Sequence, residues 1–170
     1  LGEVRRWVEE TLAACHGPLL VVVDYLQKIP VDHKVLEPET EVTTYLMQGL
    51  KEMAMMLRIP VIAIAASDRM GLKAMRMRLS DLRGSSALQY EADIGLILNN
   101  KFAIISREHM VYNPSQAGEM RNWVVMTVEK NRAGRNAVDM EYLLDAAHFR
   151  MAPKGGFVRE RLVDEKVVLA

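Results

Sequence analysis

The stretch "LLVVVDYLQKI", Leu19–Ile29, joins a run of apolar residues directly to an aspartate. The run is rich in valine and has no polar residue before Asp24, which is typical of a buried strand in a parallel sheet. Asp24 therefore follows the carboxyl end of the predicted strand. In open α/β sheets, ligands bind at the carboxyl ends of the strands. The position of Asp24 makes it a candidate ligand-binding carboxylate.

Asp24 supports two interpretations. In nucleotide-hydrolysing sheets, an aspartate at this position holds Mg²⁺, usually through a water molecule. Alternatively, Asp24 caps the loop or helix that follows, because an apolar run ending in aspartate is a common pattern. The residues alone leave both interpretations open.

The rest of the chain first alternates helices with strands and then becomes rich in strands. Apolar spacing predicts helices over Val4–Cys15, Thr40–Arg58 and Ser86–Glu91. Apolar or alternating runs predict further strands at Val61–Ala65, Ala92–Leu98, 122–131 and Ala137–Asp145. This order predicts an α/β fold in which helices flank a central, mostly parallel sheet, with antiparallel strands at its C-terminal side.

Composition limits the class of protein. The 170 residues suit one domain, and 22 basic residues balance 22 acidic ones, so the net charge indicates neither nucleic acid nor a membrane. The single cysteine, Cys15, excludes an internal disulfide and fits a reducing cytoplasm. No apolar run approaches the roughly 18 residues that span a bilayer. Because the chain begins at Leu1 and opens directly on an amphipathic pattern, we expect it to be a piece of a longer protein.

Two basic segments are candidate anion-binding sites. The first contains five cations and ends in "RGSS", 83–86, whose backbone N–H groups can form an anion nest. Such a loop can bind the phosphates of a nucleic-acid strand, although a solvated surface loop explains the same charges. Its cations are Arg69, Lys73, Arg76, Arg78 and Arg83.

The second basic segment is "EKNRAGR", Glu129–Arg135, in which Lys130 and Arg132 lie on the same side of an extended stretch before a glycine turn. An arginine that crosses a subunit interface to a γ-phosphate stabilises transition-state charge. An ordinary charged hairpin tip is the alternative. The chain contains no GxxxxGK[ST] phosphate-binding loop, and its four histidines lack the spacing of metal ligands.

Taken in order, four stretches resemble motifs of the C-terminal RecA-type ATPase domain of DnaB-family replicative helicases. "VVVDYLQKI" is similar to the family's Walker B segment, in which DYLQ is characteristic, and "VEKNRAGR" resembles its Lys-x-Arg-x-Gly hairpin. "LRIPVIAIAASDR" and "SDLRGSSALQYEAD" resemble the segments between them. The resemblance covers residues 18–150. It implies a single partial RecA-like P-loop NTPase core over residues 1–170, with a helix over 1–17 and a peripheral tail over 151–170.

The resemblance also implies roles for individual residues. Asp24 would hold the Mg²⁺ of ATP through water, and Lys130 and Arg132 would act on the γ-phosphate of a neighbouring subunit's ATP. Arg69 would contact the nucleotide. Single-stranded DNA would contact a loop formed by Arg83, Gly84 and Ser85. The parent protein would be a cytoplasmic hexameric ring that couples ATP hydrolysis to movement along that DNA.

Two departures from the family pattern leave other functions open. The family's phosphate-binding loop and catalytic glutamate precede Walker B and lie outside this chain, so we expect the chain alone to be inactive. Ala66 stands where the family has a sensor glutamine. The alternative is therefore a non-catalytic RecA-like module that binds nucleotide or DNA or serves as a scaffold. A recombinase or clock-type RecA relative is a third hypothesis, with different partners.

Overall fold

The computed structural model describes residues 1–31, 39–67, 76–82, 84–104 and 118–155. The chain divides into two compact units. The first combines Leu1–Gly71 with Ser80–Ala92, and the second combines Leu72–Leu79 with Asp93–Ala170. Among the residues described, no helix combines the length and the apolar character needed to cross a membrane.

The first unit contains a parallel pair of strands packed against helices. Its elements are α1 (Gly2–Ala14), β1 (Val21–Val23), α2 (Glu39–Leu57), β2 (Val61–Ala63) and α3 (Ser85–Glu91). β1 and β2 pair from Val21↔Val61 to Val23↔Ala63. The core brings together side chains from all three helices and from β1, including Val8, Val21, Leu46, Leu50, Met53 and Leu88. The helices and both strands lie close to the predicted positions.

One face of this strand pair differs from the prediction. Val21 is 7% exposed, whereas Val22 is 57% exposed. Successive strand residues point to opposite faces, and Leu20, Ile62 and Ile64 on the Val22 side are also exposed. The expectation of a fully buried β1 is therefore wrong for this face. Within the residues described, the helices of the first unit pack against the Val21 face, which explains the difference.

Gly84 precedes α3 in the left-handed conformation, with φ 70° and ψ 31°. A Cβ atom at this position would lie 2.5 Å from the Cβ of Thr43 on α2, which is itself 2% exposed. Only glycine combines this backbone conformation with such a close approach of α2.

We expect Gly84→Ala to destabilise the first unit by about 2–4 kcal/mol. The alanine would be strained in the left-handed backbone conformation, and its Cβ would clash with Thr43. Urea unfolding followed by the fluorescence of Trp7, in a Trp123→Phe background, would measure the change. Gly17→Ala is the control, since a Cβ there meets nothing within 4 Å. Equal unfolding midpoints for the two variants would contradict the prediction.

The second unit contains an antiparallel sheet in the order β3-β4-β5-β6. Its elements are β3 (Ile94–Asn100), α4 (Lys101–Ile104), β4 (Trp123–Asn131), β5 (Val138–Asp145) and β6 (Arg150–Ala152). The antiparallel strands at the C-terminal side were predicted, but β6 was not. It falls at the start of the predicted peripheral tail and pairs with β5 from Leu143↔Ala152 to Asp145↔Arg150. A strand of three residues is too short to show a period of two.

Candidate functional site

Asp24 lies at the carboxyl end of β1, where its side chain is exposed. Two backbone hydrogen bonds hold this end of the strand pair together. The Ile64 N–H donates to the Val23 carbonyl at 2.9 Å, and the Leu26 N–H donates to the Ile64 carbonyl at 2.8 Å. The peptide bond between Asp24 and Tyr25 is cis. The carboxylate therefore leaves the sheet at the edge where ligands of such sheets bind.

The residues after Asp24 explain the rest of the DYLQ stretch. Leu26 is 0% exposed and packs in the core of the first unit. The Gln27 side-chain oxygen accepts a hydrogen bond from the Ala66 N–H at 3.2 Å. Leu26 thus anchors the turn, and Gln27 binds it to the segment that follows β2. Ala66 is the position at which the resemblance expects a sensor glutamine, and its backbone is bound by Gln27.

The chemistry of this edge fits one kind of metal ion. Across the described parts of the chain, no three His, Cys, Asp or Glu side chains are grouped so as to hold a metal. A single exposed carboxylate suits Mg²⁺, which keeps several waters and is bound through one or two carboxylates plus substrate phosphates. Among the described residues, this edge lacks the three or more protein ligands of a zinc site.

A β-bulge shapes the end of β4 that carries the two predicted cations. Leu96 pairs with Val128, and Gly95 pairs with Lys130, so Glu129 is an extra residue in β4. The bulge brings Lys130 to the same face as Gly95. A Cβ on Gly95 would lie 3.3 Å from the Lys130 Cβ and 3.0 Å from the Leu79 side chain. In a strictly alternating strand, Lys130 would point to the opposite face.

Arg132 directly follows β4 and is held by Asp93. Its N–H donates to the Asp93 carbonyl at 2.8 Å, and its Nη1 lies 3.3 Å from Asp93 Oδ1. Both side chains are about half exposed, at 56% and 55%. Lys130 lies at the end of β4, within the strand, whereas Arg132 lies in the turn that follows the strand, so their predicted shared face stays a prediction.

A short segment, Arg76–Leu79, is bound along one face of the sheet in the second unit, and we call it the anchored segment. Arg76 Nη2 lies 2.6 Å from Asp139 Oδ1 and also donates to Thr127 Oγ1 at 3.0 Å. The Arg76 and Asp139 side chains are only 7% and 17% exposed. Arg76 therefore belongs to a buried ion pair and does not lie in a solvated basic loop, which corrects the sequence-based interpretation of this residue.

The remainder of the anchored segment is held by Glu129 and Asn99. Glu129 pairs with Arg78 at 3.2 Å and accepts the Leu79 N–H at 2.8 Å. Asn99 accepts the Met77 N–H at 2.8 Å and donates to the Met77 carbonyl at 3.0 Å. Sequence reasoning missed these contacts. The available signal was a set of polar residues at alternate positions of apolar strands, because buried polar groups need hydrogen-bond partners.

The residues predicted to contact DNA are only partly described. Gly84 and Ser85 are adjacent at the start of α3, where Gly84 packs against Thr43. Arg83 and Arg69, together with Lys73, lie outside the described residues. Gly84 thus has a packing role, which is independent of any contact with nucleic acid.

Comparison with known proteins decides the family. Residues 2–151 match the family model described as "DnaB-like helicase C terminal domain". The chain belongs to this family. A solved structure entitled "The Structure Of A DnaB-Like Replicative Helicase And Its Interactions With Primase" superposes with a TM-score of 0.71 at 24% identity, over 88% of this chain and 34% of that one. The α/β fold class, with its parallel and antiparallel strands, is therefore confirmed for this DnaB-like domain.

Three curated proteins similar to this DnaB-like domain are each called "Replicative DNA helicase DnaB". The protein from Mycobacterium intracellulare is 40% identical over 82 residues, which are 47% of this chain and 14% of that protein. The protein from Rickettsia bellii (strain RML369-C) is 35% identical over 119 residues, which are 64% of this chain and 22% of that protein. The protein from Mycoplasma pneumoniae is 29% identical over 157 residues, which are 89% of this chain and 32% of that protein. The matched stretches thus cover less than a third of the length of each relative.

Proposed function

We propose that this DnaB-like domain is part of the motor of an ATP-dependent DNA helicase. The motor couples ATP hydrolysis at subunit interfaces to movement along single-stranded DNA. The observation that carries the proposal is Asp24, exposed at the carboxyl end of β1 in a chain that belongs to this family. The names of the curated relatives support the same function.

In this proposal, each predicted residue has one task. Asp24 binds Mg²⁺ through water, and the ion, when bound, supplies positive charge to the phosphates of ATP. Arg69 contacts the nucleotide. Lys130 and Arg132 reach the γ-phosphate of ATP that is bound to a neighbouring subunit, where a fixed cation stabilises charge in the transition state. The loop at Arg83, Gly84 and Ser85 contacts the backbone of single-stranded DNA.

The proposal includes the assembly. Residues 1–170 form one part of a single motor domain, in a parent protein that assembles as a hexameric ring in the cytoplasm. The parent supplies the phosphate-binding loop and the catalytic glutamate, so the 170-residue chain alone does not turn over ATP. Most electrostatic stabilisation of the phosphates comes from these other parts.

Asp24→Asn tests the proposal in the full-length natural protein that contains these residues. We expect the substitution to lower kcat for DNA-stimulated ATP hydrolysis about 100-fold or more, because it removes the negative charge that holds the metal ion. Glu10→Gln, an exposed carboxylate on α1, is the matched control and should leave kcat unchanged. Wild-type protein without ATPase activity, or Asp24→Asn protein with full activity, would contradict the proposal.

A non-catalytic RecA-like module that binds nucleotide or DNA is the second candidate, and Ala66 at the sensor position favours it. Filter binding to single-stranded DNA at several salt concentrations separates the two candidates when it is combined with the ATPase assay. Binding that weakens steeply with salt shows phosphate contacts. Such binding without ATP turnover would support the module, and binding with turnover would support the motor.

A further inference from the structure

We infer that Asp93 is a positioning residue for Arg132, which it holds in the orientation required to reach the γ-phosphate of a neighbouring subunit's ATP. The inference rests on the proposed function and assigns a role to Asp93, the last residue of the stretch "SDLRGSSALQYEAD". The geometry that carries it is a double contact. The backbone of Asp93 accepts the Arg132 N–H at 2.8 Å, and its carboxylate lies 3.3 Å from Arg132 Nη1.

The surrounding backbone shows why Arg132 needs this support. β5 pairs with β4 only as far as Val128↔Val138, whereas β3 continues to pair with β4 up to Ile94↔Asn131. The last residues of β4 are therefore paired to β3 alone. Asp93 directly precedes β3 and extends this pairing by one further hydrogen bond, to Arg132. The arginine then leaves the sheet into the hairpin tip, where Asn131 Oδ1 accepts the Ala133 N–H at 3.2 Å.

The chemistry of the pair indicates that Asp93 orients Arg132 and does not block its contact with a phosphate. A guanidinium carries five N–H donors in a fixed plane, which is more than one carboxylate can accept. Both side chains are about half exposed, and ion pairs of this kind are weak. A γ-phosphate carries more negative charge and more acceptor oxygens than a carboxylate, so it competes with Asp93 for the arginine. Asp93 therefore restricts the rotamers of Arg132 before the phosphate arrives, without preventing the contact.

The test compares Asp93→Ala, Asp93→Glu and Arg132→Ala in the full-length natural protein. We expect Asp93→Ala to lower kcat for ATP hydrolysis up to about 5-fold with little change in KM, because the variant loses a weak, half-exposed contact that orients the arginine and keeps the backbone contact of residue 93. Asp93→Glu should recover part of the loss. Asp145→Ala is the matched control, because this carboxylate belongs to the same unit but pairs with His148 and Arg150.

The double variant separates positioning from general damage. If Asp93 acts through Arg132, Asp93→Ala should have no further effect on kcat in an Arg132→Ala background. Asp93→Asn, which keeps the shape of the side chain, replaces Asp93→Ala in the same comparison if the alanine variant does not fold. Wild-type or higher kcat in the Asp93 variants, or the same fold-loss with and without Arg132, overturns the inference while leaving the proposed function intact. Wild-type protein that hydrolyses no ATP, in contrast, removes the proposed function itself.

Discussion

Replacing Arg132 by alanine should lower kcat for ATP hydrolysis by about 10³-fold or more in the full-length natural protein, because an arginine finger contributes about 10³- to 10⁵-fold to kcat. The structure places Arg132 at the supported end of β4, beside Asp93 and exposed to solvent. Steady-state ATPase kinetics with saturating single-stranded DNA would measure the loss.

Two further variants make this experiment specific. Arg132→Lys keeps the charge but loses the planar fork of donors, so most of the defect should remain. Arg135→Ala removes another exposed arginine from the same hairpin and should leave kcat near the wild-type value. Full activity of the Arg132→Ala protein would exclude the arginine from catalysis.

Action across a subunit interface can be tested by mixing inactive subunits. A mixture of Asp24→Asn and Arg132→Ala subunits contains some interfaces that combine an intact Asp24 with an intact Arg132. If the arginine acts in trans, the mixture should be more active than either variant alone. If the arginine serves the nucleotide of its own subunit, no interface in the mixture is repaired, and activity should not rise.

Replacing Asp139 by alanine should destabilise the second unit by about 3–5 kcal/mol, because it removes the carboxylate that neutralises a buried arginine. Arg76 is 7% exposed. Asp139 Oδ1 also accepts a hydrogen bond from Thr127 Oγ1, and the two oxygen atoms are 2.5 Å apart. Urea unfolding followed by Trp123 fluorescence, in a Trp7→Phe background, reports on this sheet.

The matched variants separate the loss of one charge from the loss of the pair. Arg76→Met combined with Asp139→Leu replaces both charges by apolar groups, so the double variant should recover the stability that the unpaired charge costs, but not that of the buried Thr127 hydroxyl, which loses both partners. Arg150→Met removes the 70%-exposed partner of Asp145 and should cost about 0–1 kcal/mol. If Asp139→Ala and Arg150→Met lowered the free energy of unfolding equally, the burial of the Arg76–Asp139 pair would make no difference to stability.

The sequence predicted those parts of the fold that depend on regular spacing. The apolar repeat of α2 and the alternation of β5 are long enough to identify each element, and both lie within a residue or two of the predicted bounds. The exposed face of Val22 could not be predicted, because an apolar run does not show which side the helices cover. For the candidate site, the sequence predicted that Asp24 and Arg132 directly follow strands, and the structure has both at those positions, while their roles stay predictions.

The interactions of Arg76 and Asp93 could not be predicted for a different reason. Both depend on which residues oppose each other across the sheet, and the residues of a single strand do not determine the register of its pairing. The cations at 69–83 read as one basic segment in the sequence. Arg76 instead contacts Asp139, a residue 63 positions later in the chain.

The bulge at Glu129 has an evolutionary consequence. In a regular strand, neighbouring side chains face opposite sides, so Glu129 and Lys130 could not both lie on the face that holds the anchored segment. The bulge lets Glu129 bind the anchored segment while Lys130 lies on the same face, opposite Gly95. Substitutions at Glu129 are therefore pleiotropic, since the same position serves both the packing of Leu79 and the placement of Lys130. An insertion or deletion in this end of β4 would therefore change the pairing with β3, whereas the hairpin tip, 133–137, lies outside both strands.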